Sequence, residues 1–159
     1  MGLIKYKSCC FTGHRVLPRE EVEDIRDMLG RAIEVLISFG CTDFISGGAL
    51  GFDTLAAEAV IEARKTHPQL RLIMILPCRD QHKLWNDWSR RRYEGLLQAA
   101  DQVSYVCERY IKGCMQARNK RMVEAAEYCI AYCNNPRSGT GGTIAYAKER
   151  GLIVTNLAE

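Results

Sequence analysis

The sequence lacks the patterns that mark a membrane span, a disulfide framework or a zinc site. Its longest apolar stretches have the length of strands and are interrupted by charge, so we expect no signal peptide or membrane-spanning helix and a cytoplasmic location. There are eight cysteines but no Cys-x-x-Cys pair, and only three histidines. The usual zinc spacings are therefore absent. We predict structural thiols in a reducing compartment, and no metal site.

A large charge excess is also missing. Lys and Arg number 22 against 19 Asp and Glu, which gives a formal net charge of +3. Nucleic-acid-binding domains usually concentrate positive charge on one face. The short basic run at 90–92 is expected to be a solvated helix face, so nucleic acid is not the expected partner.

Two common phosphate-binding signatures are absent. The sequence contains neither Gly-x-Gly-x-x-Gly after a strand nor a loop ending in Gly-Lys-Ser/Thr. A kinase or an ordinary nicotinamide dehydrogenase is therefore not expected. Internal repeats, low-complexity tracts and linkers are missing as well, so residues 1–159 are predicted to form a single domain.

The residues that are present alternate between short apolar runs and stretches with helical spacing. This alternation predicts an α/β fold: a Rossmann-like, doubly wound and mainly parallel sheet with helices on both faces. The predicted strands are 7–12, 43–46, 70–76, 102–107, 128–133 and 152–155, and the predicted helices are roughly 19–39, 52–66, 88–100, 115–127 and 143–150.

Three predicted strands are followed by turns rich in glycine or in cationic side chains. Such turns converge on one crevice at the carboxyl ends of parallel strands, where small ligands bind. Their glycines allow backbone amides to approach an anion, and helix N-termini favour negative charge. The residues of these turns that we predict to bind ligand are Thr12, Gly13, His14 and Arg15, then Ser46, Gly47, Gly48, Gly51 and Asp53, and finally Gly139, Thr140, Gly141, Gly142 and Thr143.

Individual side chains in and near these turns suggest roles. Arg15 suits bidentate contact with phosphate, and Asp53 suits capping of free amides or acceptance of hydrogen bonds from ligand hydroxyls. Arg118 and Asn119, near a helix start, are expected to face the same crevice. Trp85 follows the third strand and is a candidate for stacking on a base, although such a residue more often packs a domain edge.

These motifs resemble the SLOG superfamily, named for the DNA-processing protein DprA/Smf and the cytokinin-activating LOG enzymes. Thr12–Arg15 is similar to the opening motif of its YpsA-type branch, and Ser46–Asp53 resembles both the second motif of that branch and the glycine-rich turn of DprA. The stretches 115–119 and 141–143 resemble those of LOG enzymes. The resemblance implies a Rossmann-like fold that binds nucleotides or nucleotide-derived ligands, in some relatives ADP-ribose-like signals.

The sequence departs from the LOG enzymes at the catalytic glutamate. LOG enzymes cleave the bond between base and ribose 5′-phosphate with an arginine and with a glutamate three residues after a Gly-Thr pair. Arg118 matches the arginine, but the glutamate position holds Tyr146 in one register and Thr143 in the other. Neither side chain supplies the carboxylate that oxocarbenium-like chemistry requires. Arg118 and Asp53 would be catalytic only if the protein is an enzyme.

Three functions remain open from the sequence. The favoured one is a module that binds or senses a nucleotide-like ligand such as ADP-ribose and requires no cofactor. The second is an N-glycosidase acting on nucleoside 5′-monophosphates, and the third is a binder of single-stranded DNA like DprA. Related folds often pair through helices, which leaves a homodimer open.

Overall fold

The protein forms one parallel sheet flanked by helices. The computed structural model describes residues 7–159, so residues 1–6 of the predicted single domain lie outside the described residues. The strands are β1 (Lys7–Gly13), β2 (Cys41–Ser46), β3 (Arg71–Leu76), β4 (Gln102–Tyr105), β5 (Tyr128–Tyr132) and β6 (Ile153–Asn156). The helices are α1 (Val22–Ser38), α2 (Phe52–Arg64), α3 (Asp87–Ala99), α4 (Cys114–Glu124) and α5 (Gly139–Glu149), with a short 3-10 turn at Arg19–Glu21 before α1.

The strands pair in the order β4-β3-β2-β1-β5-β6, and every pairing is parallel. Their residues are apolar on both faces because helices cover both sides of the sheet. In β1, Cys9 and Phe11 belong to the core on one face, whereas Cys10 belongs to the core on the other. The predicted doubly wound α/β fold is confirmed.

The helices divide between the two faces in chain order. Side chains of α1, α2 and α3 pack into the core that contains Phe11, whereas those of α4 and α5 pack into the core that contains Cys10. The chain therefore runs outward from β1 to β4 with α1, α2 and α3 on one face. Helix α4 then crosses the opposite face to β5, which pairs with the other side of β1, and α5 continues on that face. This reversal creates a topological switch point between β1 and β5, where doubly wound proteins commonly bind ligands.

The last two helices have different bounds from those predicted. The last helix begins at Gly139, four residues before its predicted start, because Ser138 caps it by accepting a hydrogen bond from the Gly141 amide at 3.1 Å. The third glycine-rich segment is thus the first turn of α5 and not a loop. The helix α4 also ends earlier than predicted, at Glu124.

Within residues 7–159, no helix combines the length and apolar character that crossing a bilayer demands.

Candidate functional site

The turn after β1 lies at the switch point and contacts the segment after β5. The backbone amide of Asn134 donates to the ring nitrogen Nε2 of His14 at 3.2 Å, and Asn134 is the second residue after the end of β5. The guanidinium of Arg15 donates to the sulfur of Met115 at 3.4 Å. Residues of β1, β5 and α4 that are far apart in the chain therefore meet at one edge of the sheet.

The turn after β2 is bonded internally. Its amides find acceptors within the turn: Gly48 donates to Ser46 Oγ at 3.2 Å, and Ala49 donates to Asp53 Oδ2 at 3.3 Å. The side chain of Asp53 therefore occupies the concavity that the sequence suggested for a ligand oxyanion. Ser46, Gly47 and Gly48 are buried behind the crevice and do not line it.

Two glycines of this turn allow close approach of neighbouring groups. Gly51 has φ +78°, and a β-carbon there would lie 2.5 Å from the carbonyl oxygen of His14. A β-carbon at Gly47 would lie 2.3 Å from Nη1 of Arg118. These positions hold the first turn and α4 against the second turn.

Arg118 and Asp53 form a buried pair of charged groups beside Gly47. Their exposed fractions are 4% and 6%. Arg118 donates from Nη1 to the carbonyl oxygen of Gly47 and from Nε to Asn119 Oδ1 at 2.8 Å.

Burial shifts both of these groups toward neutrality. Loss of hydration raises the pKa of Asp53, although Arg118, the Ala49 amide and Arg15 oppose that rise. Burial likewise lowers the pKa of Arg118, against the attraction of Asp53. The two side chains therefore form a desolvated polar centre at the wall of the crevice.

The N-terminus of α5 supplies donors at the same edge. Ser138 Oγ accepts from Gly141, and the Gly142 amide donates to the Ser138 carbonyl oxygen at 3.0 Å. Within residues 7–159, the amides of Gly139 and Thr140 have no acceptor in the chain, as is usual for the first turn of a helix. Such amides favour an anion.

These elements enclose a cavity of about 880 Å³. The lining brings together predicted residues from all three turns and from α4: Thr12, Gly13, His14, Arg15, Asp53, Arg118, Asn119, Gly139, Thr140, Gly142 and Thr143. Among the lining residues that the structure describes, three side chains are cationic, Arg15, Arg118 and Lys120, and one, Asp53, is a carboxylate. The cavity therefore favours anions.

Several predicted residues lie away from this lining. Gly51 and Gly141 are behind it, like Ser46, Gly47 and Gly48. Trp85 packs edge-on against Tyr93 at a ring distance of 5.2 Å and is not part of the lining. The structure thus does not bring Trp85 to the cavity. The residue packs within the domain, which was the alternative to base stacking.

The sequence interpretation missed several lining residues. Asn134 and Asn135 follow β5 directly, so their position at a strand end was the available signal. Gln116 and Lys120 flank the Arg118-Asn119 pair on α4, and only the helical arrangement places them on the cavity side. A cluster of three or more side chains able to hold a metal was not found in residues 7–159.

Thr143 and Tyr146, which match the glutamate of LOG enzymes in the two alternative registers, also line the cavity. Thr143 Oγ1 donates to the Gly139 carbonyl oxygen at 3.2 Å, and Tyr146 Oη donates to Glu124 Oε1 at 2.8 Å. Both hydroxyls are therefore engaged with α5 or α4, and neither position contributes a carboxylate to the lining.

The sequence of this chain matches a known protein family over most of its length. A sequence model named YpsA, for the YspA SLOG family, matches residues 10–150. The chain belongs to this family. The matched segment runs from the middle of β1 to just after the end of α5 and so contains every predicted ligand-binding residue, which confirms the SLOG resemblance.

Two curated relatives show similar levels of identity. The UPF0398 protein BH1768 of Halalkalibacterium halodurans is 30% identical over 118 residues, which cover 73% of this chain and 62% of that protein. The uncharacterized SPbeta prophage-derived protein YoqJ of Bacillus subtilis is 31% identical over 138 residues, covering 79% of this chain and 81% of YoqJ. The chain thus matches less than two thirds of the length of the first relative and most of the second.

Solved structures share the fold at lower identity. DNA processing protein A (DprA) of Streptococcus pneumoniae has a TM-score of 0.68 and 19% identity, covering 94% of this chain and 49% of that chain. DprA of Helicobacter pylori, whose structure concerns its single-stranded DNA binding mode, has a TM-score of 0.63 and 20% identity, covering 96% of this chain and 67% of that one. TM1055 has a TM-score of 0.60 and 20% identity, covering 93% of this chain and 72% of that one. These similarities support the fold.

Proposed function

We propose that this protein binds a nucleotide or a nucleotide-derived ligand of the ADP-ribose type in the cavity at the switch point. The observation that carries the proposal is the charge of the lining: three cationic side chains and one carboxylate among the described residues, next to the first amides of α5. A cavity of about 880 Å³ has the size of a small-molecule site, for which roughly 300–1,000 Å³ is typical.

Arg15 is the side chain best suited to hold a phosphate. It is exposed, and the hydrogen bond that it makes within the chain goes to the sulfur of Met115, a weak acceptor. A phosphate oxygen is a much stronger acceptor and can be bound by two guanidinium N–H groups at once. The amides of Gly139 and Thr140 supply further donors on the α5 side of the cavity.

The amide side chains at the rim suit the uncharged parts of such a ligand. Asn134, Asn135 and Gln116 line the cavity, and each carries both a donor group and an acceptor group. Sugar hydroxyls and base edges also present donors and acceptors, so the rim can match either. The ligand class therefore combines phosphate with a sugar or a base.

Thermal denaturation with a panel of AMP, ADP and ADP-ribose tests the proposal. A ligand at 100 times its Kd stabilises the native state by about 2.7 kcal/mol, which corresponds to a rise in Tm of roughly 5–10 °C for a chain of this size. The variant Arg15→Ala should bind on the order of 10- to 150-fold more weakly, the scale of a charged hydrogen bond. Arg31→Ala, an exposed change on α1, serves as the control.

Two outcomes would contradict this proposal in different ways. If no member of the panel raises Tm, the cavity does not bind nucleotides. If a member binds equally well to the wild type and to Arg15→Ala, the phosphate is held elsewhere.

A second candidate function is cleavage of a nucleoside 5′-monophosphate between base and sugar. The observation that favours it is Asp53, a buried carboxyl at the cavity wall whose pKa is raised by burial, beside the guanidinium of Arg118. A carboxyl whose pKa is raised keeps its proton to higher pH, which suits it to the role of a general acid. Incubation with AMP followed by chromatography should then show free adenine from the wild type and none from Asp53→Asn. Intact AMP in both samples would reject this candidate.

Single-stranded DNA is the remaining alternative, suggested by the structural similarity to the Helicobacter pylori DprA. The basic run on α3 offers little support for DNA binding. The guanidinium of Arg92 donates from Nε to Glu58 Oε2 at 2.7 Å and lies over the ring of Trp88, 4.9 Å from its centre. We therefore expect the protein not to retard labelled single-stranded DNA in gel electrophoresis at low salt. Retardation that weakens steeply as salt rises would favour the DNA alternative instead.

A further inference from the structure

The cavity is a groove along one helix, and not a point site at the sheet edge. Apart from Thr140 in its first turn, the α5 residues that line it are Gly139, Gly142, Thr143 and Tyr146, which follow the spacing i, i+3, i+4 and i+7 of a single helix face. Seven residues of helix span about 10 Å along the axis. On the other side, α4 contributes Met115, Gln116, Asn119 and Lys120. A ligand in this groove can therefore reach from the start of α5 toward its middle.

The two ends of the groove differ in chemistry. The end at the sheet edge has the guanidinium of Arg15 and the first amides of α5, which favour phosphate. The far end has the ring of Tyr146, with the ammonium of Lys120 6.0 Å from the ring centre. The first end combines a guanidinium with the first backbone amides of α5, whereas the second combines a flat aromatic surface with a single ammonium.

The ring of Tyr146 is held in place by two contacts. Its hydroxyl donates to Glu124 Oε1 at 2.8 Å, and its ring packs against the core under α4 and α5. The other aromatic rings of the described lining are less suited to stacking. Phe11 has an exposed fraction of 1%, and His14 is bonded to Asn134 at the phosphate end. Tyr146 is thus a fixed and partly exposed ring away from the phosphate donors.

We propose that Tyr146 is the platform on which the base of the ligand stacks, with the phosphate placed at the Arg15 end. This inference rests on the proposed function and narrows it: the ligand is a base-bearing nucleotide, whereas a phosphosugar without a base binds weakly.

Affinities for AMP and ribose 5-phosphate test the inference, since ribose 5-phosphate has a hydroxyl at C1 in place of the base. Replacing a stacked aromatic residue by alanine removes about 1–3 kcal/mol per base, so Tyr146→Ala should weaken AMP binding on the order of 5- to 150-fold. The same variant should leave the affinity for ribose 5-phosphate unchanged. Tyr146→Phe keeps the ring and should retain AMP binding, whereas Tyr146→Leu keeps the bulk and should not. Tyr110→Ala, at an exposed tyrosine in the loop before α4, is the matched control.

Calorimetric titration of each variant separates the outcomes, and Tyr146→Leu provides a folded variant if Tyr146→Ala is unstable. Equal losses for AMP and ribose 5-phosphate would mean that Tyr146 shapes the groove without contacting the base, which overturns the inference and leaves the proposed function intact. Unchanged AMP affinity in Tyr146→Leu would also overturn it. A wild type that binds ADP-ribose but neither AMP nor ribose 5-phosphate would refute the assignment of these two ends, and a wild type that binds no nucleotide would refute the proposed function itself.

Discussion

Replacing Gly47 by alanine is the sharpest test of how the buried polar centre is built. A β-carbon at this position would lie 2.3 Å from Nη1 and 2.7 Å from Cζ of Arg118, and 2.9 Å from Oδ2 of Asp53. Arg118 has an exposed fraction of only 4% and donates to the carbonyl oxygen of Gly47 itself. The added methyl group must therefore push the guanidinium out of its place.

The expected cost follows from that displacement. Overpacking of a well-packed site costs about 1–3 kcal/mol, and the loss of a hydrogen bond from a charged group is of similar size, about 1.5–3 kcal/mol. Both effects come from one movement, so they are not added. We expect Gly47→Ala to lower the free energy of unfolding by about 1–3 kcal/mol, or Tm by roughly 2–12 °C for a chain of this size.

A double-mutant cycle measured by urea denaturation isolates the mechanism. In an Arg118→Ala background the guanidinium is gone, so Gly47→Ala should cost little and the coupling energy should approach about 1–3 kcal/mol. Gly30→Ala is the control: Gly30 lies within α1 with no atom within 4 Å of the added carbon, so the change should stabilise by about 0.5–1 kcal/mol. An equal loss from Gly47→Ala in both backgrounds would show that the clash is with Asp53 Oδ2 and not with Arg118, contrary to the expected displacement of the guanidinium.

Three further expectations concern pH, thiols and the α5 cap. Burial raises the folded-state pKa of Asp53 above 3.8, so the native state binds its proton more tightly than the unfolded state, and wild-type stability falls as pH rises through that folded pKa. Urea denaturation between about pH 4 and 8 should show Asp53→Asn gaining stability relative to the wild type as pH rises, and a constant difference would contradict the raised pKa. Cys107 is partly exposed while the other seven thiols are buried, so mass mapping after brief alkylation of the native protein should find Cys107 modified first. Ser138→Ala removes the acceptor for the Gly141 amide and should cost about 0.5–2 kcal/mol by denaturation, whereas an unchanged stability would mean that α5 does not depend on this cap.

The strands and their ligand-binding edge were predictable because their signals are local. Short apolar runs such as that of β1 indicate strands buried on both faces, and the rule that turns converge at the carboxyl ends of parallel strands placed Arg15, Asp53 and Gly139 near one another. The structure brings these three residues to one cavity.

The roles of individual residues were not predictable, since they depend on contacts between distant segments. Gly47 was interpreted as part of an amide cradle, but its lack of a side chain makes room for Arg118, which is 71 residues away in sequence. The segment at 139–143 was predicted as a loop because glycines have low helix propensity. The Ser138 cap and the burial of Thr143 make it the first turn of a helix instead. Trp85 illustrates a third limit, because an aromatic residue in a sequence carries no information about the surface that it faces.

The stability of the fold does not account for the burial of Arg118 and Asp53. Removing two charges from water costs several kcal/mol each, and a buried pair is often no better than apolar residues of the same volume. The hydrogen bonds of Arg118 go to the Gly47 carbonyl oxygen and to Asn119, and Asp53 accepts from the Ala49 amide, so the two side chains interact with each other mainly through charge. Charged groups retained at such a cost and placed at the wall of an open cavity are typical of functional sites. The desolvated polar centre therefore supports a ligand at this wall more strongly than the glycine-rich turns do, because the turns are explained by packing and the buried charges are not.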